Sequence, residues 1–114
     1  MPLPEDIMDI DLEKIGEALL VRPRFRRLDA AVAVEFRDKV CSLVEDSQLV
    51  VIAMGNVDFV DSSGLGSLIS LFKRLPPGAA MRLAEPSPSV VRLLRLTRLD
   101  RVLPAFGSVQ QAMA

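Results

Sequence analysis

The stretch Val57-Asp58-Phe59-Val60-Asp61-Ser62-Ser63-Gly64-Leu65-Gly66 joins a hydrophobic segment to a predicted helix. Before it, residues 48–54 form a short apolar run rich in β-branched side chains, which predicts a central strand covered on both faces. After it, residues 65–75 predict a helix that the sequence Pro-Pro-Gly at 76–78 ends. A strand followed by a capped helix is typical of an α/β fold.

The segments on the N-terminal side predict two strands and a helix. Residues 7–15 alternate apolar and polar side chains, and residues 17–25 place Leu19, Val21 and Phe25 on one face. Asp29 is a plausible N-cap for a helix that runs to about residue 45. Its predicted buried stripe consists of Val32, Phe36, Val40, Leu43 and Val44.

The segments on the C-terminal side continue the alternation. Residues 79–84 predict a strand and residues 86–96 a helix with proline near its start. Residues 101–106 predict an edge strand or a turn, and Ser108 caps a last helix over 109–113. The order β-β-α-β-α-β-α with a short β/α tail predicts a parallel or mixed sheet covered by helices.

Composition favours one soluble domain that spans residues 1–114. The net charge of −1 argues against a generally basic nucleic-acid binder. Residues 1–17 carry six acidic groups and one lysine, whereas the other 97 carry thirteen basic and nine acidic groups. No apolar run reaches the roughly 18–20 residues of a membrane span. A single cysteine, Cys41, permits no internal disulfide, so we expect a cytoplasmic protein.

Enzymatic readings of the 57–66 stretch fit poorly. The chain has no histidine, which removes the Ser-His-Asp triad and, with one cysteine, the typical zinc site. It has no P-loop, and Gly64-Leu65-Gly66 does not continue into a dinucleotide-binding motif because position 69 is isoleucine. Asp58 and Asp61 are weak evidence for a metal site. We therefore expect no catalytic residue and no cofactor.

The chemistry of the stretch leaves two interpretations. Asp61, Ser62 and Ser63 are preferred N-cap residues, so an ordinary capped helix explains them. Gly64 and Gly66 would in addition let a second backbone approach closely. Alternatively, a serine at a helix start accepts a phosphoryl group, which the helix dipole favours and which a protein partner packed there would not tolerate.

The same residues resemble the signature of STAS domains, specifically anti-sigma factor antagonists of bacterial partner-switching systems. Residues 28–33, 88–102 and 107–112 resemble other parts of that family in the same order. The resemblance implies a STAS fold, with a mixed, mostly parallel sheet of about four or five strands and four or five helices mainly on one face.

The resemblance also implies a mechanism and partners. A GHKL-type serine kinase/anti-sigma factor would phosphorylate Ser62, and a PP2C-type phosphatase would reverse the modification. The expected partner-binding residues are Arg26, Arg27, Asp29, Asp58, Asp61, Ser62, Ser63, Gly64 and Leu65. The alternative is a non-switching STAS subunit of a lipid or anion transport complex, although the intact Asp61-Ser62-Ser63 sequence favours the switch.

Two groups of arginines stand out in the sequence, one before the first helix and one near the C-terminal end. Arg26-Arg27 stands where the family usually has Gly-Glu, and we expect this pair near Ser62, either tuning partner charge or contacting the phosphate. The alternative is a solvated strand end. For Arg92, Arg95, Arg98 and Arg101, a solvated helix face is expected, and the alternative is a surface for an acidic partner or an anionic surface.

Overall fold

The computed structural model describes residues 9–114 and contains strands that alternate with helices. Its strands are β1 (Ile10–Ile15), β2 (Ala18–Pro23), β3 (Arg27–Leu28), β4 (Leu49–Ala53), β5 (Phe59–Val60), β6 (Ala80–Ala84) and β7 (Ala105–Phe106). Its helices are α1 (Ala33–Glu45), α2 (Ser62–Phe72), α3 (Pro88–Leu96) and α4 (Val109–Met113), with a 3-10 turn at Leu99–Arg101.

The main sheet has five strands in the order β1-β2-β4-β6-β7. The hairpin of β1 and β2 is antiparallel, and the other three pairings are parallel. In the centre, Val50 of β4 lies opposite Leu19 of β2 and Met81 of β6. These pairings confirm the predicted mixed, mostly parallel sheet.

The alternation of side chains along the strands divides the core into two clusters. Leu19, Val21 and Ile52 pack under helices α1, α2 and α3, where Phe36, Leu68 and Leu94 are also buried. On the opposite face, Leu20, Val51, Ala53 and Ala84 pack against Ala112 of α4. Because β4 is covered on both sides, its sequence is an unbroken apolar run. Three of the four helices therefore share one face, as predicted.

A second, two-stranded sheet is a feature that the sequence patterns did not predict. Strand β3 pairs in parallel with β5, with Arg27 opposite Phe59 and Leu28 opposite Val60. Each strand has only two residues, too few for a periodic pattern to be recognised. This pairing fixes the end of the β2–α1 connection beside the beginning of α2.

Several predicted boundaries were wrong, most clearly at α1. The helix begins at Ala33, and Asp29 instead opens a turn: its carbonyl accepts from Val32 N at 3.0 Å and from Ala33 N at 2.9 Å. Its carboxylate accepts from Ala31 N at 3.1 Å. Asp29 therefore stabilises the turn that leads into the helix and is not its N-cap.

Local capping also moves the other helix ends. Helix α2 begins at Ser62 and not at Leu65, because Asp61 caps it, and it ends at Phe72, ahead of the Pro76-Pro77 pair. Helix α3 begins at Pro88 and not at Pro86, because Ser87 is its N-cap. The predicted cap of α4 by Ser108 is confirmed.

The strands at the two ends of the chain differ slightly from the predictions. The first prediction began at residue 7, and residues 7 and 8 lie outside the described part. Strand β2 ends at Pro23, and its pairing with β4 stops at Val21. The segment 101–106 contains the end of the 3-10 turn and then β7, so both predicted alternatives occur in it.

Candidate functional site

Residues 58–66, the candidate site segment, lie at the carboxyl side of the sheet where β5 leads into α2. The segment is held against the β2–α1 connection by main-chain hydrogen bonds. Asp58 N donates to Arg26 O at 2.7 Å, and Asp61 N donates to Leu28 O at 3.3 Å. These bonds bring two loops that are about thirty residues apart in sequence into one surface.

Asp61 is the residue that fastens the start of α2. One carboxylate oxygen, Oδ1, accepts a hydrogen bond from Gly64 N at 2.8 Å and so caps the helix. The other oxygen, Oδ2, accepts from Ala30 N at 3.2 Å in the opposite loop. A single side chain thus satisfies a free helix N–H and ties the helix to the turn before α1.

Gly64 is buried, and its missing side chain explains how closely the helix approaches β3. A Cβ atom at this position would lie 2.0 Å from the carbonyl oxygen of Leu28. No larger residue fits without moving the backbone. Gly66 is different, because a Cβ there would have no atom within 4 Å. The expectation of close backbone approach is confirmed at Gly64 and was wrong at Gly66.

The three serines at the start of α2 have different surroundings. Ser62 and Ser63 are exposed, whereas Ser67 is buried and its hydroxyl donates to Gly64 O at 2.6 Å. Ser63 also lines a cleft of about 170 Å3 beside Ala30, Ala33 and Arg37. The hydroxyls of both Ser62 and Ser63 are therefore on the surface. Their exposure does not indicate which of the two would accept a phosphoryl group.

The arginine pair lies beside the site segment, and each arginine has an acidic neighbour. Arg26 Nε donates to Asp58 Oδ2 at 2.7 Å, and its Nη2 forms a salt bridge with the same oxygen. Arg27 Nε lies 3.2 Å from Asp29 Oδ2, and its guanidinium stands 4.3 Å from the centre of the Phe59 ring. The predicted proximity of this pair to the site is confirmed. Both side chains are also largely exposed, 79% for Arg26 and 63% for Arg27, so these surface ion pairs fit the alternative of a solvated strand end as well.

Of the predicted partner-binding residues, two are buried. Leu65 is 7% exposed and, like Gly64, lies beneath the surface. Arg26, Arg27, Asp58, Ser62 and Ser63 are exposed, and Asp29 and Asp61 are half-buried. Gly64 and Leu65 can therefore support the surface from below, while the others are available for contact.

Some participants were missed by sequence reasoning. Phe59 is 38% exposed and carries the stacked Arg27, and the Ser89 hydroxyl of α3 donates to Asp58 O at 3.2 Å. The main-chain groups of Leu28 and Ala30 anchor the segment. Main-chain contacts between distant loops leave no signal in the residue types, which is why these groups could not be found from the sequence.

The arrangement offers a protein surface with an accessible hydroxyl at a helix start. Within residues 9–114, no three side chains of the His, Cys, Asp or Glu type are grouped to hold a metal ion. In the same part of the chain, no helix has the length and apolar character needed to cross a bilayer. A phosphoryl group on Ser62 or Ser63 would lie at the positive end of the α2 dipole.

The sequence profile of the STAS domain matches residues 9–112, and so includes every element of the fold described above except the last residue of α4, Met113. The chain belongs to the STAS domain family. An anti-sigma F factor antagonist of Paenibacillus polymyxa is 31% identical to this STAS domain over 65 residues, 56% of each chain. The chain spans little more than half the length of the curated relatives that it matches.

Solved structures have the same fold as this STAS domain. An anti-sigma factor antagonist from Mycobacterium paratuberculosis has a TM-score of 0.83 at 22% identity, covering 99% of this chain and 96% of its own. The Bacillus cell fate determinant SpoIIAA in its phosphorylated form has a TM-score of 0.71 at 20% identity, with 92% and 96% covered. A sulfate transporter family protein from Wolinella succinogenes has a TM-score of 0.69 at 17% identity, with 88% and 84% covered. At these identities the likeness establishes the fold alone.

Proposed function

We propose that this STAS domain is an anti-sigma factor antagonist that binds a serine kinase/anti-sigma factor and is released when Ser62 is phosphorylated. The observation that carries the proposal is the position of Ser62. It is the first residue of α2, it is exposed, and the preceding Asp61 is held by two main-chain hydrogen bonds. In this account the chain is a substrate and a ligand, and it is not an enzyme.

Modification of Ser62 is compatible with the fold for a physical reason. The Ser62 side chain packs into neither of the two hydrophobic clusters, and the helix dipole favours an anion at this end by about 0.3–1 kcal/mol. The anchors of the segment are main-chain groups and Asp61, which the phosphate would not replace. We therefore expect the phosphorylated domain to remain folded, so that only binding changes.

The charge around Ser62 explains why a partner would be released. Arg26 and Arg27 offset the charges of Asp58 and Asp29, so with Asp61 the five side chains carry a net charge of −1. A phosphate adds about −1.5 to −2 at neutral pH. A partner that packs on the unmodified surface would then have to bury a strongly anionic patch. A loss of about 3 kcal/mol would lower its affinity more than a hundredfold.

The proposed contact surface consists of the exposed residues around the acceptor. Ser63 follows Ser62 directly, and the Arg26–Asp58 and Arg27–Asp29 pairs lie on the two loops that main-chain bonds hold together at this site. Gly64 and Leu65 are buried and hold the start of the helix in place. Arg27 stacked on Phe59 adds a rigid cation and an apolar edge, residue types that are enriched at protein interfaces. The proposed partners are a GHKL-type kinase/anti-sigma factor and a PP2C-type phosphatase. An anti-sigma factor as the partner is supported by the relative that is an anti-sigma F factor antagonist, and a phosphorylated state by the Bacillus cell fate determinant of the same fold that was solved in phosphorylated form.

A transport role is the second candidate, favoured by the likeness of the fold to a sulfate transporter family protein. The exposed acceptor serine favours the switch over this role, because a constitutive scaffold does not require a modifiable hydroxyl.

The proposal is tested by phosphorylation with the cognate kinase, read by intact mass. The wild type and Ser63→Ala should each gain one phosphoryl group, and Ser62→Ala should gain none. Because Ser62 and Ser63 are both exposed, their alanine variants are matched controls for one another. Full labelling of Ser62→Ala would show that the acceptor lies elsewhere.

A further inference from the structure

The outer face of α3 carries a groove that the Ser62 site does not explain. The groove has a volume of about 380 Å3 and is lined by Pro86, Pro88, Val91, Arg92 and Arg95. We call it, together with the neighbouring exposed side chains Leu96, Arg98 and Arg101, the arginine face. The lining of the groove combines apolar side chains with two cationic ones, which is a composition that suits a ligand with both apolar and anionic groups.

Among residues 9–114, no neighbouring side chain balances the charge of the arginine face. Residues 86–103 contain four arginines and a single acidic residue, Asp100. Within residues 9–114, all salt bridges involve other side chains, so no carboxylate lies within 4.0 Å of these arginines. Elsewhere most exposed arginines have an acidic neighbour, as Arg24, Arg26, Arg27, Arg37 and Arg74 do.

A favourable interaction with the dipole of α3 does not explain the positions of all four arginines. A cation in the last turn favours the helix dipole, and Arg95 is placed there. Arg92 lies a turn earlier, however, and Arg98 and Arg101 lie beyond the helix. Arg98 has a backbone φ of 61°, a left-handed conformation that favours glycine. Glycine would relieve that strain, so the stability of the helix end does not explain an arginine at this position.

Apolar exposure at the same place is a second, independent observation. Leu96 is 76% exposed, the most exposed of the large hydrophobic side chains in residues 9–114. It follows Arg92 by four positions, so the two side chains are neighbours on the helix. A ligand that satisfied this face would need both carboxylates and an apolar side chain.

From this combination we infer that the arginine face docks an acidic, leucine-containing segment of another protein. Nucleic acids and anionic bilayers are less suitable occupants, because a chain with a net charge of −1 offers extended polyanions no long-range attraction. A short acidic segment meets only the local positive patch. Its apolar side chains can pack against Pro86, Pro88 and Val91 in the groove. This inference does not depend on phosphorylation of Ser62.

The arginine face adjoins the candidate site without being part of it. The Ser89 hydroxyl in the first turn of α3 donates to Asp58 O at 3.2 Å. A protein docked on α3 would therefore lie beside the segment that contains Ser62. A partner that binds the Ser62 segment could therefore also contact the arginine face, where its negative charge would determine how well it binds.

The test measures binding of a short fluorescent helical peptide, with glutamates on one side and leucines on the other, to the full chain. We expect binding that weakens at least about tenfold in Arg92→Glu with Arg95→Glu, since close charge pairs dominate such contacts. The control Lys39→Glu with Lys73→Glu changes the net charge equally, in α1 and at the C-cap of α2, and should bind as the wild type does. Ser62→Ala should also bind normally, which separates this inference from the proposed function.

Four results would overturn the inference. The first is equal binding of the peptide by the Arg92/Arg95 variant, and the second is equal binding of a matched peptide with glutamine for glutamate. The third is tighter binding to phosphatidylglycerol vesicles or to duplex DNA, which would assign the face to a polyanion. The fourth is self-association of the wild type that Arg92→Glu with Arg95→Glu abolishes, which would assign it to a second copy of this chain.

Discussion

Replacement of Asp61 by alanine should unfold the domain more readily than replacement of any other charged residue at the site. The carboxylate accepts from Gly64 N at 2.8 Å and from Ala30 N at 3.2 Å, so alanine removes both bonds. Loss of a helix N-cap costs about 1 kcal/mol. Loss of a charged partner from a second main-chain N–H costs about 1–2 kcal/mol. The expected total is about 2–3 kcal/mol.

Urea unfolding followed by circular dichroism measures this effect, provided that the slope m is unchanged. For a domain of this size, we expect the thermal midpoint to fall by roughly 10 °C. Asp61→Asn keeps one carbonyl oxygen and should lose about half as much. The control is Asp58→Ala, which removes an exposed salt bridge to Arg26 and should cost less than about 1 kcal/mol. Equal losses for Asp61→Ala and Asp58→Ala would refute the assigned role of Asp61.

Three further changes test other parts of the account. Gly64→Ala forces a Cβ to 2.0 Å from the main-chain oxygen of Leu28 and should destabilise the domain by more than about 2 kcal/mol in the same urea assay. The control Gly66→Ala places its Cβ in open space and should be neutral or slightly stabilising. Arg98→Gly should stabilise it by about 0.5–1 kcal/mol, since it relieves a positive φ at the helix end; a destabilised variant would contradict the strain argument. Arg26→Glu with Arg27→Glu should slow phosphorylation and weaken kinase binding in a titration, because it reverses two charges beside Ser62; unchanged values would remove the pair from the interface.

The elements of the fold that were predicted correctly are those with a strong local pattern. The apolar run of β4 requires cover on both faces, and the stripe of α1 with Phe36 and Val40 requires a single buried side. Helix ends were less predictable, because several residues in succession can act as caps. Asp61 and not Ser63 caps α2, and the choice depends on the bond from Ala30 N in another loop.

The candidate site was predicted in its residues more than in its architecture. The Asp-Ser-Ser-Gly sequence indicated a capped helix but placed its start three residues too late, and the family resemblance placed Arg26 and Arg27 nearby. The β3–β5 pairing could not be predicted, since two residues per strand carry no period. The tight contact of Gly64 with the Leu28 carbonyl and the stacking of Arg27 on Phe59 are tertiary consequences of that pairing.

The central claim is that a phosphate on Ser62 removes a partner without unfolding the domain. The most direct measurement is calorimetric titration of the cognate kinase/anti-sigma factor with two folded proteins, one unmodified and one with phosphoserine incorporated at position 62 during translation. The account predicts affinity at least about a hundredfold weaker for the phosphorylated protein, equivalent to about 3 kcal/mol. It also predicts nearly equal thermal midpoints for the two proteins. Equal affinities would contradict the account, and so would a loss of binding that accompanies unfolding.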